Sequence, residues 1–185
     1  MTNEEAKTKA TEYADAVAYK RMIDRYYRGY TVTPTTNFND YNPVNVGWDV
    51  TLTDADGEKT LKELKSRSKK YRFFSHIKDL RLTGYKLDNL RDEAERQGCK
   101  AEIVGIYPYD NVIVTWPADG EYEETIQYTK KFEYGEDSDK IEQKAYILPF
   151  DMAEKYVVDM SDFDDNYQKA YNKYKKAVTD DAEGV

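Results

Sequence analysis

Asp49, Glu63 and Lys65 are the residues whose types and spacing point to chemistry. Glu63-Leu64-Lys65 lies on an alternating segment, so its carboxylate and ammonium project from one face. Asp49 lies on the preceding alternating segment. The turn Asp54-Ala55-Asp56-Gly57 joins the two, a strong hairpin signal because Asp-Gly tolerates positive φ. The segments then pair directly, and the three side chains converge on one patch. Two carboxylates and a backbone carbonyl, that of Leu64, make a hard oxygen site suited to magnesium, which takes one or two carboxylates and keeps several waters. Such a metal lowers the pKa of a bound water and offsets charge on a phosphate. An ammonium two residues on orients the attacking water or neutralises the pentavalent phosphorus. The chemistry expected of this patch is metal-assisted phosphodiester hydrolysis, with Mg2+ or Mn2+ as cofactor.

The surrounding elements must hold that patch together. The spacing of Ala10, Tyr13, Ala14, Val17, Met22 and Tyr26 predicts a helix from about 4 to 28, ended by Gly29. A short strand is expected at Tyr30–Thr33, then a turn-rich loop at 35–45, then strands at Val46–Thr53 and Lys59–Ser66. Residues 67–83 read as basic and irregular. Leu87, Leu90 and Ala94 give a second helix one apolar face over 84–97, and Gly98 stops it. Strands at Ala101–Tyr107 and Val112–Trp116 are apolar enough to be central in a sheet. Residues 121–134 and 140–148 read as a charged hairpin, 149–160 as a short helical or hooked segment, and 162–178 as an amphipathic helix. The tail from 179 onward reads as frayed. The fold class expected is α/β (α+β), because a helix interrupts the sheet between its third and fourth strands. A core at 1–118 would carry an extension at 119–185 packed on the same domain.

Asp49 followed by Glu63-Leu64-Lys65 resembles the PD-(D/E)XK nuclease signature. The order of elements is similar to the core shared by type II restriction enzymes, lambda-type exonucleases and archaeal Holliday-junction resolvases. The stretch GWDVTLTDADGEKTLKELKSR resembles the strand–turn–strand of small phage and bacterial members. The resemblance spans roughly residues 5–116. It implies a restriction-endonuclease-like fold, metal ligands at Asp49 and Glu63, and a catalytic Lys65. It also implies a carboxylate on the first helix, with Glu12 the nearest candidate and Asp15 the next. A polar residue near the phosphate on the second helix would be Lys86. Trp48, where the family often has proline, is a departure.

The chain of 185 residues carries a formal net charge of −8, yet residues 58–86 hold ten Lys/Arg against three acids, a local +7. The remainder therefore carries −15. At physiological salt screening acts over about 8 Å, so local charge decides contact with a polyanion. Arg67, Lys69, Lys70, Arg72 and Lys86 are the expected substrate-binding residues, with Tyr71, Phe73 and Phe74 between them as packing or stacking groups. The expected partner is DNA, with RNA as the alternative.

His76 is the only histidine and Cys99 the only cysteine. Ser-His-Asp catalysis, multi-histidine zinc sites and intrachain disulfides are therefore not expected. His76 is expected to be a loop or capping residue and Cys99 a packed thiol. Asp54–Glu58 fails as the start of an EF-hand loop, since its glycine comes at the fourth position rather than the sixth. No segment approaches the roughly 20 apolar residues of a membrane span. The first residues lack a signal-peptide core, and a cytoplasmic location is expected. Tyr167, Tyr171 and Tyr174 share one face of the last helix, expected to pack on the domain, with a homodimer contact as second choice. Two other functions stay open at this stage: an inactive nucleic-acid-binding module on the same fold, and an acidic protein-interaction module.

Overall fold

The structure is a computed structural model and describes residues 1–39, 47–67, 77–130 and 140–183. The chain runs α1 (Asn3–Tyr26), β1 (Thr31–Pro34), β2 (Val50–Thr53), β3 (Lys59–Ser66), β4 (Asp79–Thr83), α2 (Gly84–Gln97), β5 (Lys100–Tyr107), β6 (Val112–Pro117), β7 (Glu123–Lys130), β8 (Lys140–Pro149), β9 (Glu154–Val157) and α3 (Phe163–Glu183). A one-turn 3-10 helix, Phe150–Met152, links β8 to β9.

Six strands form the main sheet in the order β1-β2-β3-β5-β6-β9. β3 and β5 pair in parallel, Glu63 opposite Ile103, and the other neighbours pair antiparallel. A parallel pair needs a crossover, and α2 supplies it. Because β3 is central, its side chains meet a helix on each face. Leu61 enters a core with Leu87, Leu90 and Trp116 on the α2 side. Leu64 enters a second core with Tyr19, Met22 and Ile23 on the α1 side.

Each helix has a local reason for its ends. Thr2 caps α1 through the Glu5 N–H, and Glu5 returns a bond to the Thr2 N–H. Alanines at 6, 10, 14 and 18 are buried, which lets α1 approach its neighbours closely. Gly98 closes α2 at φ +64, the left-handed region that glycine enters freely. No acidic residue stands in the first turn of α2, and Thr83 makes no side-chain cap there. The Thr83 hydroxyl instead accepts from Gln127 at 3.1 Å.

Several elements differ from expectation. Val46 lies outside the described residues, and β2 begins only at Val50, so Asp49 precedes the strand rather than lying within it. Residues 79–83, read as irregular, form β4, with Leu80 and Leu82 buried and Arg81 exposed between them. β4 leaves the main sheet and pairs with β8, which pairs with β7, making a separate three-stranded sheet. The hooked segment contains β9, which adds to the edge of β6. α3 runs to Glu183, past the expected end at 178. Its Ala170 and Tyr174 bury against Ala6 and Ala10 of α1. No helix among the described residues is long and apolar enough to cross a membrane.

Candidate active site

The site forms where β2 stops short of β3. Along a strand, alternate residues turn their backbone groups toward the same neighbour. The Lys62 carbonyl accepts the Asp49 N–H at 2.9 Å, which is the last rung of the β2–β3 ladder. Leu64 therefore also faces the β2 side, but no strand remains to pair with it. The Asp49 side chain fills that gap, its Oδ2 accepting the Leu64 N–H at 2.7 Å. Thr35 fixes Asp49 from the other side, with its N–H on the Asp49 carbonyl (2.9 Å) and its hydroxyl on the carbonyls of Trp48 and Asp49 (2.8 Å each).

Glu63 is 3% exposed and forms an ion pair with Lys86 from the first turn of α2. Its carboxyl is close enough to hydrogen-bond Asp49 when protonated. Burial and the neighbouring Asp49 charge push Glu63 up to about 7, against the pull of Lys86 and Lys65. Burial also raises Asp49, opposed by Lys86, the Leu64 N–H, Glu63 and Lys65. Lys86 sits above the ordinary lysine range: burial works against its charge, but Glu63 and Asp49 outweigh it. Lys65 moves the other way. Burial lowers it, as do the charges of Lys86 and Arg67, while Glu63 and Asp15 counter them.

α1 supplies two further carboxyls. Glu12 accepts a hydrogen bond from Thr36 Oγ1 at 2.9 Å, and burial raises its pKa. Asp15 is 4% exposed, and burial pushes it up to about 7, opposed by Ser66 and Lys65. Its Oδ1 is buried with no hydrogen-bond partner among the described residues. A cavity of about 240 Å3 is bounded by Glu12, Asp15, Asp49, Leu64, Lys65, Ser66 and Lys86.

These observations bear on a metal. Among the described residues no three His, Cys, Asp or Glu side chains are grouped as a ready cage. Magnesium needs no such cage, since it takes one or two carboxylates and retains waters. Four carboxyls, Glu12, Asp15, Asp49 and Glu63, stand here within electrostatic reach of Lys9, Lys65 and Lys86. Burial is the first cause of the raised pKa of all four carboxyls, and the orphaned Asp15 Oδ1 is an acceptor that fits a hard cation.

The structure thus brings together Asp49, Glu63, Leu64, Lys65, Lys86 and both α1 candidates, Glu12 and Asp15. Arg67 stands apart. It lines a separate cavity with Ile77, Asp79, Arg81 and Tyr107, and its Nη2 donates to the Arg81 carbonyl at 3.0 Å. Lys69, Lys70, Tyr71, Arg72, Phe73, Phe74 and His76 lie outside the described residues. Sequence reasoning missed Thr36 and Ser66, which hold the Glu12 and Asp15 carboxyls, and Thr35, which holds the Asp49 backbone, because isolated hydroxyl residues carry no motif signal.

Helix, three strands, helix, two strands is the restriction-endonuclease-like order, and the chain has it within residues 3–117, with β4 inserted before α2. The fold is mixed α/β, with a mixed sheet and three α-helices among the described residues, consistent with that order. No family model and no curated protein matches the sequence. Among solved structures the chain is similar to Hjc, a Holliday junction resolvase from the archaeal hyperthermophile Archaeoglobus fulgidus. That match has 10% sequence identity and a TM-score of 0.45, over 74% of this chain and 92% of that chain.

Proposed function

We propose that the chain is a metal-dependent nuclease that hydrolyses DNA phosphodiester bonds. The observation that supports this reading is a pair of adjoining cavities that share Glu12, Asp49 and Lys86, one lined also by Glu63 and the other by Asp15, Leu64 and Lys65. Asp49, Glu63 and the Leu64 carbonyl would hold Mg2+ or Mn2+. When bound, the ion would supply an acidified water and neutralise charge on the phosphate. The other roles belong to the chain. Lys65 Nζ, its proton loosened by burial, orients the nucleophile and meets charge developing on the phosphate. Lys86 holds Glu63 in place and offers a cation to the phosphate. Its position in the uncapped first turn of α2 adds the favourable end of the helix dipole.

The test is cleavage of duplex and single-stranded DNA with Mg2+ or Mn2+, an EDTA control, and Lys65→Ala. Cleavage should require the metal and fall at least about 100-fold in the variant, with thermal unfolding still cooperative. Cleavage that survives Lys65→Ala overturns the mechanism. One contact favours a second reading, a binding module without hydrolysis: the Lys86 ammonium already satisfies a Glu63 oxygen that the metal would use. That reading predicts salt-sensitive, metal-independent DNA retention and no cutting.

A further inference from the structure

A larger cavity, about 400 Å3, opens beside the same carboxylates. It shares Glu12, Asp49, Glu63 and Lys86 with the hydrolytic site. Of its remaining walls, Thr35 and Thr36 brace Asp49 and Glu12, while the side chains of Trp48, Tyr85 and Asn89 have no part in the hydrolysis.

Trp48 is a fixed wall. Its indole N–H donates to Thr51 Oγ1 at 3.1 Å, its carbonyl accepts from Thr35, and the next residue is Asp49. Tyr85 is the second residue of α2 and directly precedes Lys86, which the Glu63 ion pair anchors. Tyr85 is 55% exposed, and its hydroxyl has no hydrogen-bond partner among the described residues. Asn89 lies four residues further along α2, on the same helix face. Its amide is exposed and also makes no hydrogen bond among the described residues. The loop and the helix meet here without a clash to spare room for: a Cβ added at Gly47 would lie 3.8 Å from Asn89 Cβ.

We propose that this cavity receives one unstacked nucleobase of the DNA strand whose phosphate sits at Asp49, Glu63 and Lys65. The proposal rests on the nuclease reading for the placement of that strand. An aromatic face stacks on any base, so Trp48 and Tyr85 accept a base without choosing among the four. The Asn89 amide offers one acceptor and two donors to the base edge that pairing would otherwise hide. A base inside a continuous duplex reaches the cavity only by leaving its stack, which is unfavourable, whereas an unpaired base enters freely. The substrate class is therefore DNA with an unpaired nucleotide at the scissile phosphate, such as a single strand, a flap or a frayed end.

The experiment reads binding apart from cutting. Fluorescence anisotropy in EDTA compares a continuous duplex, the same duplex with a short single-stranded end, and that end carrying one abasic nucleotide at successive positions. The wild type should prefer the single-stranded end. Tyr85→Ala should weaken binding of that substrate about ten-fold, leave the continuous duplex nearly unchanged, and be rescued by Tyr85→Phe. At one abasic position the wild type should lose the same factor and Tyr85→Ala should lose nothing more. Equal weakening of every substrate, independent effects of the variant and the abasic site, or no DNA binding at all overturns the base site. Absence of cleavage with metal, alongside the coupled binding loss, would instead remove the nuclease reading and leave the base site standing.

Discussion

Asp15 should make the fold less stable as pH rises, and Asp15→Asn should remove that dependence. The carboxyl is buried, and burial lifts it from 3.8 to about 7. In the unfolded chain it titrates near its ordinary value. Between those two pH values the folded state binds more protons than the unfolded state, so stability falls as pH rises. The contribution is fully present below about pH 4 and lost above about pH 7. The interval spans about three pH units at about 1.36 kcal/mol each, which gives about 4 kcal/mol by pH 8. Asparagine keeps the shape and cannot ionise. Its amide must still find partners in the same enclosed place, which offsets part of the gain. A chain of this size gains about 2–4 °C in melting temperature per kcal/mol. The variant should therefore melt several degrees above wild type at pH 8 in EDTA, and the two curves should converge toward pH 4. Thermal denaturation followed by circular dichroism across that range makes the measurement. A variant that melts at or below wild type at pH 8 refutes the reasoning, because the carboxyl would then be hydrated or paired.

Glu63 gives a second pH effect. Its carboxyl is pushed up to about 7, so at limiting Mg2+ cleavage should fall as pH drops through about 7, and saturating metal should move the inflection downward. The Lys62–Glu102 pair should respond asymmetrically. The Lys62 side chain is 4% exposed and that of Glu102 is 35% exposed. Glu102→Ala should lower stability by about 3–5 kcal/mol in urea unfolding because it strands a buried ammonium. Lys62→Met should be close to neutral, since Glu102 can turn to water. Gly105→Ala should lower the melting temperature through about 1–3 kcal/mol of overpacking, because its Cβ would meet Val114 Cγ2 at 2.9 Å and Trp116 Cζ3 at 3.0 Å.

Where the sequence speaks most clearly is on β3 and α2. Lys59–Ser66 alternates between two flanking cores, and the Asp54–Gly57 turn fixes its start. The α2 periodicity ends at a glycine that takes positive φ. Asp79-Leu80-Arg81-Leu82-Thr83 also alternates, but the basic residues before it hide a strand that pairs with a segment far along the chain. β9 is four residues with two charges, and only the open edge of β6 makes it a strand. The same limit holds at the site. Asp49, Glu63 and Lys65 share a hairpin, so local spacing suffices to join them. Glu12 and Asp15 sit on consecutive turns of α1 with similar local surroundings in the sequence. Only the path of that helix past β3 shows that both enter the cavity.

The clasp between α1 and α3 has a consequence for what holds the candidate site in place. α1 carries Glu12 and Asp15, and its outer turns bury Ala6 and Ala10 against Ala170 and Tyr174. The Tyr174 hydroxyl and the Lys173 ammonium also hold the Phe38 carbonyl, two residues after the Thr36 that grips Glu12. The β2–β3 hairpin closes through local contacts, whereas the support behind Thr36 and Glu12 comes from residues 135 and 136 positions further along than Phe38. Loss of the α3 contacts should therefore loosen the Glu12 side of the candidate site while the Asp49–Leu64 hydrogen bond stays in place.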